Sequence, residues 1–343
     1  MRQPEIFSIP PHVAFVDALA KGLLDRCGSN PLALARTHVL LPNRRAARAL
    51  TDAFVRLSEG GLLLPRMTPE GDLGDDSFDR FASGETALPP AVPALVRRLE
   101  LARLVRALPG TREAGRSAVE ALRLGDELGA TLDALLAEEI APERLRGVVA
   151  EAELAAHWQE TLAFLEIVIS HWPPARDATG GSDGGTRVAA LIDALVARWA
   201  VAPPSGLVVA AGITGSSPPI VRLLAAIGRL PNGLVVLPGL DTDLSETGAA
   251  RWTAIRCRAA EIEENTSARD SEEHPQYALK TLLARLGLDR ADVRDWGVTT
   301  SREGPAARTA AVMAAMAPAA AADGWRGETS GDGFAGVTAI EAA

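Results

Sequence analysis

Val39-Leu40-Leu41-Pro42-Asn43-Arg44-Arg45-Ala46-Ala47-Arg48-Ala49-Leu50 is the stretch on which the fold class turns. Together with His38, its first residues read as a short strand of the kind buried on both faces. Pro42 and Asn43 interrupt that run, and from Arg44 to Leu57 the apolar spacing is helical. A buried strand passing through a brief polar turn into a helix is the repeating element of a parallel α/β sheet. The same signature stands upstream, where the apolar run Ile6 to Ile9 stops at Pro10 and Pro11. Val13, Val16, Leu19, Ala20, Leu23 and Leu24 then share a helical face. Two such units in succession predict an α/β fold with a parallel sheet.

Downstream, 60–93 is rich in Gly, Pro and Asp and reads as an irregular connection with a short strand at Leu62 to Leu64. A helical region follows. Leu95, Leu99, Ala102, Val105 and Leu108 form one expected face, and Leu124, Leu128, Leu132 and Leu135 another. A third amphipathic segment runs from Leu154 to Trp172, ended by Pro173 and Pro174, with Trp158 and Trp172 expected in the core. The glycines of 178–186 mark a flexible boundary. The α/β pattern then returns: helix from Val188 to Trp199, strand from Leu207 to Ala211, helix from Pro219 to Leu230, strand from Gly233 to Leu237. After Ser301 the composition simplifies to an Ala-rich helix ending at Met316, Gly- and Ala-rich chain, and a last strand from Gly336 to Ala343. The expected organisation is therefore 1–92 as the first part of an α/β domain, 93–177 as a helical insertion, 178–186 as a linker, and 187–300 as the return to the α/β domain. Residues 301–343 are expected to be a linker and the start of a following domain, in a chain truncated from a longer protein.

With 343 residues, 47% of them hydrophobic and 23% charged, the chain can bury a sizeable core in more than one domain. It has no apolar run near the roughly 20 residues of a membrane span, and its start lacks the features of a signal peptide, so a cytoplasmic location is expected. Cys27 and Cys257 stand far apart and suggest neither a disulfide framework nor a metal or iron-sulfur cage. The net charge of −9 requires any nucleic-acid contact to be local.

A motor ATPase needs G-x-x-x-x-G-K-[ST] between its first strand and helix, and this motif is absent. At the matching position Pro10, Pro11 and His12 stand in Ser8-Ile9-Pro10-Pro11-His12-Val13, where two prolines remove N–H donors that a phosphate would need. Lys21 and Lys280 are the only lysines. The strand ending at Ala211 and Gly212 lacks the acidic pair that holds magnesium in such motors. Its turn, with Gly212, Thr214, Gly215 and Ser216, is either an anion-binding loop or a plain tight turn. Asn43, Arg44, Arg45 and Arg48 stand at a strand's carboxyl end, where open α/β sheets place ligand contacts, and are candidates for DNA binding; a solvated helix face is the plainer alternative. Arg97, Arg98, Arg103 and Arg106 either line a DNA path or form a solvated face with Glu100. His12, His38, His157, His171 and His274 show no metal-ligand spacing, and no Ser/His/Asp set assembles.

Several ordered motifs resemble alphaproteobacterial AddB proteins, subunits of helicase-nucleases that process double-strand breaks. They are Phe7-Ser8-Ile9-Pro10-Pro11, Leu40-Leu41-Pro42-Asn43-Arg44-Arg45, Leu88-Pro89-Pro90, His157-Trp158-Gln159, Ala211-Gly212-Ile213-Thr214-Gly215-Ser216, Leu237-Pro238-Gly239-Leu240-Asp241 and His274-Pro275-Gln276-Tyr277. The resemblance implies a RecA-like, P-loop helicase-like domain interrupted by an all-helical insertion. It also implies a heterodimer with an AddA-type subunit, acting on single-stranded and broken duplex DNA for recombinational repair, and it places Asn43, Arg44 and Arg45 at single-stranded DNA. In that family a nuclease region nearer the carboxyl end carries an iron-sulfur cluster and magnesium. This chain has neither its acidic motif nor its cysteine set, so no catalytic residue, cofactor or metal is expected here, and ATP is used by the partner. The expectation is a non-catalytic, DNA-binding segment with an inactivated ATPase site. The alternative is a stand-alone phosphate- or nucleotide-binding α/β enzyme that uses the Gly212–Ser216 turn.

Overall fold

The computed structural model describes residues 4–28, 30–58, 60–73, 88–107, 117–144, 164–257, 271–298 and 306–321. Its strands are β1 (Ile6–Ile9), β2 (His38–Leu41), β3 (Arg66–Pro69), β4 (Val208–Ala211), β5 (Gly233–Pro238) and β6 (Arg294–Asp295). Its α-helices are α1 (Phe15–Cys27), α2 (Pro31–Ala35), α3 (Arg44–Leu57), α4 (Ala94–Ala107), α5 (Ala118–Ala137), α6 (Trp172–Ala178), α7 (Gly184–Val201), α8 (Pro218–Arg229), α9 (Glu246–Ala254), α10 (Tyr277–Leu286) and α11 (Ala306–Ala315). The chain divides into two compact units. One comprises Met1–Leu73, Arg198–Ser216 and Ile220–Ala343; the other comprises Gly74–Ala197 and Ser217–Pro219.

The first unit holds one six-stranded sheet in the order β3-β2-β4-β5-β1-β6, every pair parallel. The α/β class expected from the sequence is present, with β1, β2, β4, β5, α1, α3 and α8 at or within a few residues of their expected places. All four residues of β2 and of β4 are buried, as continuous apolar runs require in a sheet covered on both faces. Leu19, Leu23, Leu50 and Phe54 from α1 and α3 close over Val39, Leu41, Val209 and Val236 to form its core.

The edges depart from expectation. The strand beside β2 is Arg66–Pro69, not Leu62 to Leu64; Leu63 and Leu64 are exposed, while Thr68 and Pro69 are buried. Pairing of Leu40 with Thr68 and Leu41 with Pro69 selects this register, and an edge strand tolerates the terminal proline. On the far edge β6 has only two residues, and Trp296 anchors it. Its indole Nε1 donates to the Ala18 carbonyl at 2.9 Å, Phe7 meets its ring edge-on at 5.4 Å, and the Arg26 guanidinium stacks over it at 3.8 Å. A Cβ on Gly22 would lie 2.5 Å from that indole nitrogen, so α1 needs glycine there for the ring to seat.

The second unit has its own core of Leu101, Val105, Ala121, Leu128, Leu132, Ile167 and Trp172. Helix α4 buries Leu101, Ala102 and Val105, whereas Leu95 and Leu99, expected on that face, are 65% and 52% exposed. Leu108 lies outside the described residues, as do Trp158 with its motif His157-Trp158-Gln159 and the strand expected at Gly336 to Ala343. Pro173 and Pro174 do not end a helix. A π-helical turn, Ile167–His171, runs directly into α6, and both prolines sit in its first turn, where few N–H donors are needed.

Residues 178–186, expected as a flexible linker, form a packed joint within this unit. Ser182 accepts from the Val92 amide at 2.9 Å, and its own amide donates to Pro90 at 2.9 Å. Asp183 is 2% exposed; its carboxylate accepts from the Trp172 indole at 3.1 Å and pairs with Arg176 at 3.2 Å and Arg97 at 3.6 Å. The unit continues to Ala197 along α7, so the division falls later than the sequence suggested.

His38, buried between β2 and β3, meets the Thr68 hydroxyl at 2.9 Å. Burial, reinforced by the Arg66 charge, lowers its pKa from 6.5 to about 4. Between these values the unfolded chain takes up a proton that the folded chain refuses. The His38 contribution is therefore complete above pH 6.5 and is lost as pH falls, by about 3 kcal/mol at pH 4. Urea titrations at pH 7.5 and 4.5 should show this loss in the wild type and a smaller one in His38→Gln.

Candidate functional site

Because all six strands are parallel, their carboxyl ends lie along one edge of the sheet, and the turns that follow share that edge. These turns interlock. Gly212, after β4, has φ +73°, a left-handed conformation suited to glycine, and its amide donates to the Val236 carbonyl at 2.9 Å. A Cβ there would stand 3.4 Å from the Phe15 ring and 3.6 Å from Pro42, so the segments after β1, β2 and β4 meet at this point. The Cβ absent from Gly239, after β5, would lie 3.3 Å from Pro11.

The position corresponding to a nucleotide loop is apolar. Pro10 and Pro11 form a tight turn closed by the Val13 amide on the Pro10 carbonyl at 3.0 Å. With Phe15, Pro238, Pro275 and Met313 they line a groove of ≈ 460 Å³. Prolines offer no amide hydrogen to a phosphate. The His12 Nδ1 atom is buried with no hydrogen-bond partner among the described residues. Lys280 is committed elsewhere: its ammonium donates to the Trp252 and Ile255 carbonyls at 2.7 and 2.8 Å, capping α9.

The Gly212–Ser216 turn is already occupied by protein groups. The Gly212 amide is used within the sheet, and the Arg285 guanidinium donates to the Ser216 carbonyl. The Glu70 carboxylate lies 3.2 Å from where a Gly215 Cβ would be, and burial raises its pKa above the usual carboxylate range. An anion entering beside Gly215 and Thr214 would therefore meet a carboxylate. This arrangement favours the plain tight turn over the anion loop.

The arginine turn is organised differently. Asn43 caps α3, its side-chain oxygen accepting from the Ala46 amide at 2.9 Å. Arg44 pairs with Asp72, its Nη2 at 2.8 Å from the carboxylate. Arg45 and Arg48 are exposed, and no described residue pairs with either. Three residues apart on a helix, they project from one face. Of the four arginines on α4, Arg97 is tied to Asp133 and Asp183, Arg98 to Asp126 and Arg103 to Glu100, leaving a largely neutralised face.

Sequence reading missed the acidic partners Glu70 and Asp72. The run Pro69-Glu70-Gly71-Asp72 is a turn signal, but its place at the end of a strand depended on recognising β3. It also missed Gln276, which is 4% exposed and spans the turn after β5, donating to the Gly239 carbonyl and accepting from the Asp241 amide, both at 3.0 Å. Among the described residues no group of three or more His, Cys, Asp or Glu side chains is placed to hold a metal ion.

No protein-family model matches the chain, and no curated protein matches it closely enough to mark a relative. The likeness to AddB proteins thus rests on the motifs themselves.

Replacing Gln276 with methionine removes the partner of a part-buried carbonyl, Gly239, and of a buried amide, Asp241. A loss of about 2–4 kcal/mol in urea unfolding is expected, with Gln276→Glu intermediate because it still accepts from Asp241.

Proposed function

We propose that this chain is a helicase-like segment of an AddAB-type complex, which binds single-stranded DNA during double-strand-break processing and does not hydrolyse ATP. The observation that carries this reading is the pair Arg45 and Arg48, exposed and unpaired among the described residues, on the helix that leaves the carboxyl end of β2. Arginine forks suit phosphate oxygens, and this sheet edge is where parallel α/β proteins bind ligands. In an acidic chain such an isolated basic face provides the local contact that DNA requires.

A RecA-like core is supported by the parallel order, in which β1 lies between β5 and β6 although three strands separate it from β5 in the chain. A helical insertion in that core is supported by the helical second unit, whose residues, Ser217–Pro219 apart, fall between Leu73 and Arg198 of the first. The proline-lined β1 turn and the structural use of Lys280 support the absence of nucleotide chemistry. The motor activity of the assembly, and the recombination function, are assigned to an AddA-type partner and to the complex.

Arg45→Ala and Arg48→Ala should each weaken binding of a fluorescent oligothymidylate about 3- to 10-fold at low salt and flatten the slope of log Kd against log salt by about 0.7. Unchanged binding in both removes these residues from the interface. Mixed with an AddA-type subunit of the same genome, the chain should form a complex whose ATPase disappears when the partner's nucleotide lysine is replaced. ATP turnover by the purified chain alone overturns the non-hydrolysing assignment.

A further inference from the structure

We propose that Asp72 is an internal competitor for DNA phosphate at Arg44, a carboxylate that weakens and tunes the arginine face; this rests on the DNA-binding reading of that face. Both Arg44 Nε–carboxylate distances are 3.2 Å, and Nη2 reaches Oδ1 at 2.8 Å. This is the forked geometry a guanidinium offers to the paired oxygens of a phosphate. The Arg44 side chain is 78% exposed and Asp72's 23%, so solvent and an incoming anion reach the pair, and exposed pairs exchange partners at little cost.

The fold sets Asp72 in place. Strands β2 and β3 are paired with Leu41 beside Pro69, so Asn43–Arg44 and Glu70–Asp72 leave the sheet side by side. The Leu73 amide closes the turn on the Glu70 carbonyl at 3.2 Å. Arg45 and Arg48, on the same helix, have no such partner among the described residues. The face thus carries two available cations and a third already satisfied. A strand that engages Arg44 must displace Asp72 and lie beside its charge, which lowers affinity and lets contacts exchange as DNA moves.

The test uses the full-length chain and a labelled oligothymidylate, with Kd read by anisotropy across a salt series. Asp72→Asn should tighten binding about 3- to 10-fold at low salt and steepen the salt slope by about 0.7, the increment for one further phosphate contact on a single strand. Asp72→Glu, which retains the charge, should behave as wild type. Asp25→Asn makes the same charge change at an exposed position in the last turn of α1, the end away from the strands' carboxyl edge, and should shift Kd less than about twofold. In an Arg44→Ala background the gain from Asp72→Asn should vanish, because a coupling between the two residues is lost with either. A gain no larger than that of Asp25→Asn, or one that survives loss of Arg44, overturns the proposal. If Arg45→Ala and Arg48→Ala weaken binding while Asp72→Asn does not tighten it, competition by Asp72 alone fails. If no variant alters DNA binding, the competitor role and the DNA-binding reading fall together.

Discussion

The pairing of Ile6–Ile9 with Gly233–Pro238 is the constraint on which the rest of the first unit depends. These strands are far apart in the chain, and the hydroxyl of buried Ser8 joins them across 229 positions, donating to the Leu237 carbonyl and accepting from the Leu240 amide at 3.2 Å. Once β1 is seated beside β5, its other side takes β6, and Trp296 can lock that short strand onto α1. A contact of such sequence separation carries a large loop-closure cost, which buried β-branched and leucine side chains on both faces must offset.

The same pairing brings the site together. Parallel strands send their following turns to one edge, so Pro10–Pro11, Pro42–Asn43, Glu70–Asp72, Gly212–Ser216 and Pro238–Gly239 become neighbours although they span most of the chain. What each turn can do then depends on its new neighbours. A glycine-rich turn that looks receptive to anions lies beside the Glu70 carboxylate, while an arginine turn keeps two of its cations unpaired among the described residues. The proposed function follows from this distribution of charge along the edge more than from any single motif.

The chain reads well where one element explains its own pattern. Strand β2 and helix α3 fall at the expected residues because a buried strand, a Pro-Asn break and a capped amphipathic helix are each local signals. The misreadings have a common cause. The glycines of 178–186 suggested flexibility, yet Gly181 leaves space for Val92, whose side chain a Cβ would approach to 2.7 Å, and Asp183 is buried among cations supplied by Arg97 and Arg176. Leu95 and Leu99 fit a helical face, but Leu101 is the residue that α5 and its neighbours cover.

By itself, the amino-acid order determined the α/β class, the positions of the central strands and their helices, the absence of a phosphate-loop motif and the presence of an arginine-rich turn. These follow from apolar periodicity, from the breaking action of proline and glycine, and from side-chain chemistry, all of which act over a few residues. Tertiary structure alone decided the strand order, the edge strands β3 and β6, the Gln276 clamp and the pairing of Arg44 with Asp72. Each requires groups distant in sequence to meet, and a short or exposed segment such as Arg66–Pro69 or Arg294–Asp295 has too little pattern of its own to announce its partner. Whether a given arginine is available or already satisfied is settled only when the fold supplies its neighbour.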